Sequence, residues 1–508
     1  MLLAFKLFWA VAALELMVWL VPSLRWRRAA ALPLAVLVGA ASLFLLFVHP
    51  SIPTGLLLLM SLYRVCNLLR LVKARMNEQY LHRMTLQTSL GVIGGQSVVL
   101  LAWQLGSWLN VSTYHLWLVL AYIDLAGVAV LAITSVRHAV KTRPPRLSGP
   151  GIADHDLPTL TVAIPARNET DDLQACLASL VASDYPKLEI LVLDDCSQNK
   201  HTPEIIRSFA HAGVVFIQGH EPAESWLAKN QAYEQLFEAA NGDLILFCGV
   251  DVRFAPESLR HIVGAMLHKQ KSMMSLIPRN AVPAGTEGWS TLLQPMRYAW
   301  ELALPRRLFH RPPVLSTCWI AKRELIRSAG GFGAVSRSIV PESYFARQSI
   351  VHDGYSFMQS NDTFGITSQK RLREQLATAI RTRYPQLHRR MELVLLVTLV
   401  ELFGVFLPCT LILDAIFGRL SLQLTIVSVI IIVALTFAYM NTVALTYRRW
   451  LLRSAVLMPV AIALDIVLLN RSMVQYEFFN VFWRGRNVSV PVMHVAETAP
   501  APLLAPQR

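Results

Sequence analysis

The sequence predicts an α/β domain with a mostly parallel β-sheet, placed between two groups of transmembrane helices. Of its 508 residues, 54% are hydrophobic and only 16% are charged, with a mean hydropathy of +0.43, whereas soluble domains carry ~25% charged residues. Apolar runs of membrane-spanning length lie near both ends of the chain, and strand and helix patterns alternate between them. We therefore expect an integral membrane protein with one large domain outside the bilayer.

The membrane-spanning segments are predicted by length, because a helix needs ~20 apolar residues to cross the hydrocarbon layer. About five lie in an N-terminal region, 1–136, and two or three lie in a C-terminal region, 391–471. The runs are roughly 3–22, 29–48, 53–71, 90–109, 114–135, 392–416, 421–446 and 454–470. The last run either spans the membrane or is re-entrant or surface-lying, and Asp465 within it favours the second reading.

The distribution of positive charge predicts the topology. Loops rich in Lys and Arg (24–29, 72–84, 137–146 and 447–453) alternate with loops that contain neither residue (49–53 and 110–115). Because positive loops stay on the cytoplasmic side, we expect the N-terminus outside and the block 137–390 in the cytoplasm. The expected location is a cell membrane crossed several times, the inner membrane of a bacterium.

The net charge and the spacing of the cysteines argue against a nucleic-acid-binding protein and against a cysteine metal site. The net charge of +14 is explained by this topology and by contact with anionic lipid headgroups. No basic motif interleaved with aromatic residues occurs, so we do not expect nucleic acid as a partner. The six cysteines form no CxxC pair and show no metal-ligand spacing, which predicts ordinary buried thiols in a reducing compartment.

The cytoplasmic block opens with a Pro- and Gly-bearing linker, 137–157, and continues as a domain over 158–390. Predicted strands are Leu160–Pro165, 188–195, 214–219 and 243–251, and the helical patterns between them cover 166–182, 202–213 and 225–240. Strand–helix alternation at this spacing predicts a parallel sheet with helices on both faces. In such sheets ligands bind beyond the carboxyl ends of the strands.

Polar side chains follow three of these strands where each strand ends. Arg167 and Glu169 follow the first, Asp194 and Asp195 follow the second, and Asp251 follows the fourth. Carboxylates gathered at the ligand edge of a sheet suit a ribose and a metal-chelated diphosphate. Mg²⁺ and Mn²⁺ are hard cations that prefer such oxygen ligands.

Helix capping is the simpler explanation for acids in these positions. It fits Asp171 or Asp172, at the start of the first predicted helix. It fits Asp251 less well, because the next helix is expected to begin three residues later, at Phe254. Lys229, in the third predicted helix, is expected to lie near these acids, where its ammonium group could contact a diphosphate.

These motifs resemble the family 2 glycosyltransferases, which are inverting and use nucleotide sugars. They most resemble the membrane-embedded branch of ceramide glucosyltransferases and processive synthases such as cellulose synthase. The resemblance covers about 158–390 and rests on IPARNE, LDDCS, SWLAKNQA, LSTCWIAKRELIRSAGGFG and ARQSIVHDGYSF. It implies the GT-A fold, with a Rossmann-like mostly parallel sheet. LLNRSMVQYEFFNVFWRGRN also resembles the tail of these enzymes, so 472–508 is expected to be an interfacial tail.

The resemblance assigns roles to the residues past the first two strands. Pro165, Arg167 and Glu169 lie in the loop that holds the base and ribose in the family. Asp194 and Asp195 stand at the acid pair that holds uracil and ribose. The implied donor is therefore a UDP-linked sugar.

Further roles follow from the later motifs. Lys229 stands where the family has a lysine near the diphosphate, and Gln375 stands at the first position of the Q-x-x-R-W segment. Asp251 stands at the metal-binding Asp of the D-x-D motif, which implies Mg or Mn as the cofactor.

The sequence departs from the family in three catalytic features. Gly249 replaces the first Asp of D-x-D, Ser343 replaces the catalytic Asp, and the Arg and Trp of Q-x-x-R-W are missing. Serine has no useful basicity at neutral pH without an activating base. Glu342, one residue earlier, is the first candidate for the base, although a carboxylate favoured by a helix N-terminus is an equal alternative.

Four other residues are considered for the weakened functions. Asp353 and Asp362 are secondary candidates for the base. Arg381 and Arg383 are candidates to replace the missing Arg at the diphosphate, and anchoring to lipid headgroups explains them at least as well.

The expected function is a membrane glycosyltransferase that transfers a sugar from a nucleotide-sugar donor to a lipid or membrane-proximal acceptor with inversion. The alternative is a catalytically inactive relative that binds nucleotide sugar or supports a partner enzyme, and Ser343 is the feature that favours it. A transporter or channel is the third possibility, and the scarcity of paired charges in the spans argues against it.

Overall fold

The computed structural model describes residues 24–72, 78–108, 113–145, 152–169, 171–223, 226–281, 312–418, 421–447 and 451–489, with a few positions between 10 and 18. The chain forms two compact units. One comprises Met1–Ala126, Ile380–Ile432 and Ile466–Asn480, and the other comprises Gly127–Ala379, Val433–Asp465 and Val481–Arg508. Of the predicted α/β domain, residues 158–379 belong to the second unit and residues 380–390 belong to the first.

Among the described residues, four long apolar helices precede the α/β domain along the chain. They are α1 (Leu24–Val48), α2 (Ile52–Val72), α3 (Glu78–Trp108) and α4 (Thr113–Lys141). They match the predicted spans 29–48, 53–71, 90–109 and 114–135. Most of the predicted first span, 3–22, lies outside the described residues.

The main sheet has seven strands and the mostly parallel arrangement that the sequence predicts. Its strands are β1 (Leu160–Ala166), β2 (Leu188–Asp194), β3 (Val214–Gln218), β4 (Leu244–Cys248), β6 (Met273–Ile277), β8 (Cys318–Lys322) and β9 (Tyr355–Gln359). Their spatial order is β3-β2-β1-β4-β8-β6-β9, in which β8 is antiparallel to both neighbours. A smaller sheet contains β5 (Val252–Phe254), β7 (Arg279–Asn280) and β10 (Ile366–Ser368).

Helices cover both faces of the main sheet. In chain order they are α5 (Asp171–Val181), α6 (His201–Ser208), α7 (Ala228–Ala239), α8 (Ser258–His268), α9 (Arg323–Ser328) and α10 (Glu342–Ile350). A further helix, α11 (Leu372–Gln386), follows β10 along the chain. Alternate residues of β1 enter opposite cores, since Val162 and Ile164 pack with Leu177 of α5 while Ala163 packs with Leu236 of α7. Period-two alternation of this kind gives a sheet two buried faces.

The C-terminal apolar segments are also helical. They are α12 (Met391–Glu401), a π-helical segment (Leu402–Phe406), α13 (Leu407–Ile416), α14 (Leu422–Thr446) and α15 (Leu451–Phe478). In the described part of the chain, seven helical stretches are long and apolar enough to cross a membrane, one of them formed by α12 and α13 together. The segment 454–470 is part of continuous α15, and Asp465 is fully buried there. The length of α15 is that of a spanning helix, and its topology stays a prediction.

The aromatic core under α7 fixes the segment that contains GGF. Gly330 and Gly331 have φ values of +87° and +64°, a region that glycine adopts without a steric penalty. The turn they form places Phe332 in a fully buried position, 5.1 Å from the ring of Phe345 and 5.4 Å from that of Phe247. This packing joins β4 to α10, the helix that begins at Glu342.

Replacing Phe332 by alanine is expected to lower the free energy of unfolding of the α/β domain by ~3–5 kcal/mol, because a large buried ring leaves a cavity. Thermal unfolding of the full chain in detergent measures the effect. Val215→Ala is the control, since Val215 is exposed on β3 and a surface change is worth within ~0.5 kcal/mol. Equal midpoints for both variants would contradict the packing role.

Candidate functional site

The predicted site residues after β1 and β2 lie together at the carboxyl edge of the sheet. Ala166 pairs with Asp194 in the parallel ladder, and the Asp195 N–H donates to the Ala166 carbonyl at 2.8 Å. Pro165 lies within β1 opposite Leu193. The two strand ends therefore bring the predicted base-and-ribose loop against the predicted acid pair.

Arg167 holds these two loops in register. Its side chain is buried, and Nη1 donates to the carbonyl oxygens of Asp195 at 2.5 Å and Cys196 at 2.7 Å. Since both contacts are to backbone, the Arg167 guanidinium ties the two loops together, and its charge also acts to lower the pKa of Asp195. The sequence predicted a substrate-binding role for this residue, and the structure gives it a scaffolding contact.

Asp194 is buried, and its carboxylate takes part in the turn after β2. Its Oδ1 accepts from the Ser197 N–H at 3.2 Å, and its carbonyl accepts from the Gly219 N–H at 2.9 Å. A Cβ at position 219 would lie 2.7 Å from that carbonyl oxygen, so glycine is required there. The turn orders the acid pair before any ligand arrives.

Two arginines from the C-terminal tail are the partners of the remaining acids. The Arg486 Nη1 lies 2.6 Å from both carboxylate oxygens of Asp195, and its Nη2 lies 2.9 Å from Glu221. The Arg484 Nη2 lies 2.9 Å from Glu169 Oε2. The Arg484 carbonyl also accepts from the Arg167 Nε at 3.0 Å.

The tail presents these arginines on a small hairpin, β11 (Phe482–Trp483) and β12 (Arg486–Asn487). Its two-residue turn has positive φ at both positions, +47° at Arg484 and +84° at Gly485. This is the conformation of a type I′ hairpin turn, for which glycine is strongly preferred at the second position. The W-R-G-R sequence thus encodes a turn with an arginine on either side of the glycine.

Burial dominates the protonation of the paired acids. Loss of water raises the pKa of Glu169 from 4.5 to about 7, even though Arg484 acts in the opposite direction. Burial likewise raises the pKa of Asp195 to about 6 against the lowering effect of Arg486. Both carboxylates therefore titrate near neutral pH.

Asp251 lies in the turn between β4 and β5, and its Oδ2 accepts from the Ser368 hydroxyl at 2.7 Å. A Cβ at Gly249 would lie 2.6 Å from Asp251 Oδ1, so a side chain there requires the Asp251 carboxylate to move. With glycine in place of the first acid of D-x-D, the Asp251 carboxylate can occupy its present position.

The residues fit only a weakly held metal ion. No group of three or more His, Cys, Asp or Glu residues that could hold a metal occurs among the described residues. One carboxylate suits Mg²⁺ held largely by substrate phosphates, since this ion is usually bound by one or two carboxylates plus phosphates and water. The donor set does not fit a metal cage made of protein alone.

Lys229 and Glu342, which the sequence analysis gave different roles, form an ion pair with each other. The Lys229 Nζ lies 2.6 Å from Glu342 Oε1 and 5.0 Å from the centre of the Tyr233 ring. Glu342 is fully buried at the first turn of α10, and its Oε2 has no hydrogen-bond partner. Ser343 follows it in the same turn.

The other candidates are less suited to the chemistry. Gln375 is buried, with Nε2 donating to the Lys370 carbonyl at 2.8 Å and Oε1 without a partner. Asp353 and Asp362 are largely exposed and pair with Lys271 and Arg279.

The suggestion that Arg381 or Arg383 replaces the missing Arg at the diphosphate stays a prediction. The Arg381 carbonyl accepts from the Tyr476 hydroxyl at 2.7 Å, and the Arg383 side chain is buried. Burial of Arg383 does not suit the alternative of anchoring to lipid headgroups.

Sequence reasoning missed the partners of the acids. The W-R-G-R motif indicates no role for Arg484 or Arg486, because nothing in the order of residues places 484–486 beside the strand ends. The available signal was charge balance, since buried carboxylates at one sheet edge require cations. It also missed Ser368, which holds Asp251.

Glu169→Gln tests the raised pKa by its effect on stability. A carboxyl whose folded pKa lies above its ordinary value stabilises the fold below that ordinary value and loses the contribution as pH rises through the folded pKa. Wild type is therefore expected to lose up to ~3 kcal/mol relative to Glu169→Gln between about pH 4.5 and 7, at 1.36 kcal/mol per pKa unit. Unfolding midpoints across this pH range measure it; parallel curves for the two proteins would contradict the assignment.

The sequence is similar to glycosyltransferases over part of its length. Residues 161–329 match the model of the Glycosyl transferase family 2. The chain is 34% identical over 99 residues to glycosyltransferase AglE of Haloferax volcanii, and the matched segment covers 19% of this chain and 31% of that protein. It is 30% identical over 122 residues to the probable glycosyltransferase YdaM of Bacillus subtilis, covering 23% and 28%. The chain spans less than a third of the length of these curated relatives.

Solved structures show a weak similarity. The mannosyltransferase PcManGT from Pyrobaculum calidifontis, in complex with GDP-Man and Mn²⁺, has a TM-score of 0.41 at 17% identity, covering 70% of this chain and 97% of that one. S. aureus TarS 1-349 in complex with UDP-GlcNAc has a TM-score of 0.31 at 15% identity, covering 65% and 95%. TM-scores this low carry no argument about activity. By sequence, residues 161–329 are similar to the Glycosyl transferase family 2.

Proposed function

We propose that the protein is a membrane glycosyltransferase that moves a sugar from a UDP-linked donor to a lipid or membrane-proximal acceptor with inversion. The observation that carries the proposal is the meeting of Glu169, Asp194 and Asp195 at the carboxyl edge of a parallel sheet, within the matched segment. The seven apolar helical stretches support an acceptor at the membrane. The motifs favour the ceramide-glucosyltransferase and cellulose-synthase-like branch.

The donor would be held by the acids at the strand ends. Ionised carboxylates only accept hydrogen bonds, so Glu169, Asp194 and Asp195 suit the hydroxyls of a ribose and the N–H of uracil. Asp251 and the donor's own phosphates would hold Mg or Mn. When bound, such an ion neutralises charge on the departing diphosphate.

Glu342 is the proposed base. In an inverting transfer the acceptor oxygen forms a bond to the anomeric carbon while the bond to the nucleoside diphosphate breaks, and a base takes the hydroxyl proton. The Glu342 Oε2 has no hydrogen-bond partner and can receive that proton. Lys229, paired with Oε1, would orient the carboxylate.

A second candidate function is an inactive relative that binds nucleotide sugar. Glu342 is fully buried and ion-paired, and serine occupies position 343. An acceptor hydroxyl reaches this carboxylate only if Lys229 or its surroundings move. This observation favours binding without turnover.

Asp194→Asn tests the donor site while keeping an oxygen for the Ser197 N–H. Loss of the charge is expected to weaken UDP binding at least tenfold, about 1.4 kcal/mol, because hydrogen bonds to charged groups are the stronger ones. Calorimetry on the purified protein in detergent measures the affinity. Asp243→Asn, at the opposite end of β4, should leave it unchanged; equal affinities in all three proteins would refute the assignment.

Glu342→Gln tests the base. The substitution keeps the shape of the side chain and is expected to reduce transfer by ~10²–10⁴-fold, the usual contribution of a general base, while UDP affinity stays within a factor of two. Activity is measured with a panel of nucleotide sugars and membrane lipids. Glu324→Gln, also in the first turn of a helix but exposed, is the control.

Ser343→Asp separates the two candidate functions. If the acceptor site is intact, restoring an acid at this position should raise transfer or create it. Full activity of Glu342→Gln would instead show that the base is another residue. UDP binding without transfer in wild type and in Ser343→Asp would favour the inactive relative.

A further inference from the structure

The tail hairpin, residues 482–487, covers the two acids that the donor would use. Arg486 contacts both oxygens of Asp195, and Arg484 contacts Glu169. The side chains of Asp195 and Glu169 are 6% and 8% exposed. With these contacts in place, both carboxylates are largely buried and already paired with arginine.

The hairpin is held on the strand ends by these ion pairs and by hydrogen bonds of Arg484, whose carbonyl accepts from the Arg167 Nε at 3.0 Å and whose Nη1 donates to the Asn168 carbonyl at 3.4 Å. Each of its strands has two residues, and an isolated two-stranded hairpin is at best marginally stable in water. Arg484 adopts a left-handed conformation, φ +47°, which costs about 1–3 kcal/mol for a residue other than glycine. Phe482 is 64% exposed, so its ring adds little burial. The position of the hairpin therefore depends on its arginines.

Two further acids hold the arginines from outside the donor-binding set. Glu221 contacts Arg486 at 2.9 Å and is 71% exposed. Glu374 lies 3.8 Å from Arg484. Neither acid is among the residues proposed to bind the donor, so both can be changed without removing a donor ligand.

We propose that the hairpin is an autoinhibitory plug whose arginines occupy the donor acids and must leave before a uridine nucleotide binds. The inference rests on the proposed function, since it takes Glu169 and Asp195 as donor ligands. Binding exchanges arginine contacts for contacts with the ribose and base, so the measured affinity is the intrinsic affinity multiplied by the open fraction. Anything that weakens the plug raises the apparent affinity.

If the arginines instead bound the donor, removing one of them would weaken nucleotide binding. Arginines suit diphosphates as well as carboxylates, and a hairpin that bound the donor phosphates would strengthen nucleotide binding. The sign of the change on removing an arginine therefore decides between a plug and a ligand.

The first experiment measures UDP affinity by calorimetry in the full-length protein. Arg486→Ala is expected to bind UDP at least fivefold more tightly than wild type, and Glu221→Ala is expected to shift affinity in the same direction by a smaller factor. Glu238→Ala removes an exposed acid of α7 and should leave affinity unchanged. Glu221→Ala keeps the test valid if Arg486→Ala fails to fold.

The second experiment follows the hairpin itself by limited trypsin digestion. Arg484 and Arg486 are trypsin sites, and the Arg486 side chain is 12% exposed when paired. Cleavage after these arginines, identified by mass spectrometry, should accelerate in Glu221→Ala without nucleotide. It should also accelerate in wild type when UDP is added.

The outcomes separate the plug from the donor site. Tighter UDP binding in both variants, with UDP-stimulated cleavage, supports the plug. If wild type binds UDP but the variants bind equally or more weakly, or if UDP protects the hairpin from trypsin, the plug is wrong and the donor site stands. If neither wild type nor any variant binds UDP, the donor assignment fails and the plug fails with it.

Discussion

The organisation of the α/β domain depends on one electrostatic constraint, the burial of several carboxylates at the carboxyl edge of a parallel sheet. Desolvation of an acid is costly unless a cation or hydrogen-bond donors accompany it. Here the loops after β1 and β2 supply acids, and Arg167 is turned toward backbone carbonyls. The balancing charge comes from Arg484 and Arg486, more than 280 residues later in the chain.

This balance is incomplete, and that has a functional meaning. Burial still raises the pKa of Glu169 and Asp195 despite their arginines, so the arginines offset only part of the cost of burying these charges. Arg484 also carries a left-handed backbone. A contact that is balanced in this way can be exchanged for a ligand more readily than a fully satisfied buried ion pair.

The part of the site that contains the proposed base is organised differently. Glu342 is fully buried and forms an ion pair with Lys229, whose side chain is partly exposed. Gly249 and Asp251 are likewise coupled, since the space for a side chain at 249 is taken by the Asp251 carboxylate. The neighbouring residues therefore fit the glycine at 249. This arrangement is compatible with an altered transfer reaction and also with nucleotide binding without transfer.

The sequence by itself determined the parallel order of the early strands, the described apolar spans and the gathering of Glu169, Asp194, Asp195 and Asp251 at one edge. These follow from local periodicity and from the rule that parallel strands end on the same side. Only the tertiary structure decided which cations meet those acids, that Lys229 is committed to Glu342, and that Ser368 holds Asp251. The reason is physical: periodicity is a local property of the chain, whereas charge pairing depends on which distant segments fold onto the same edge.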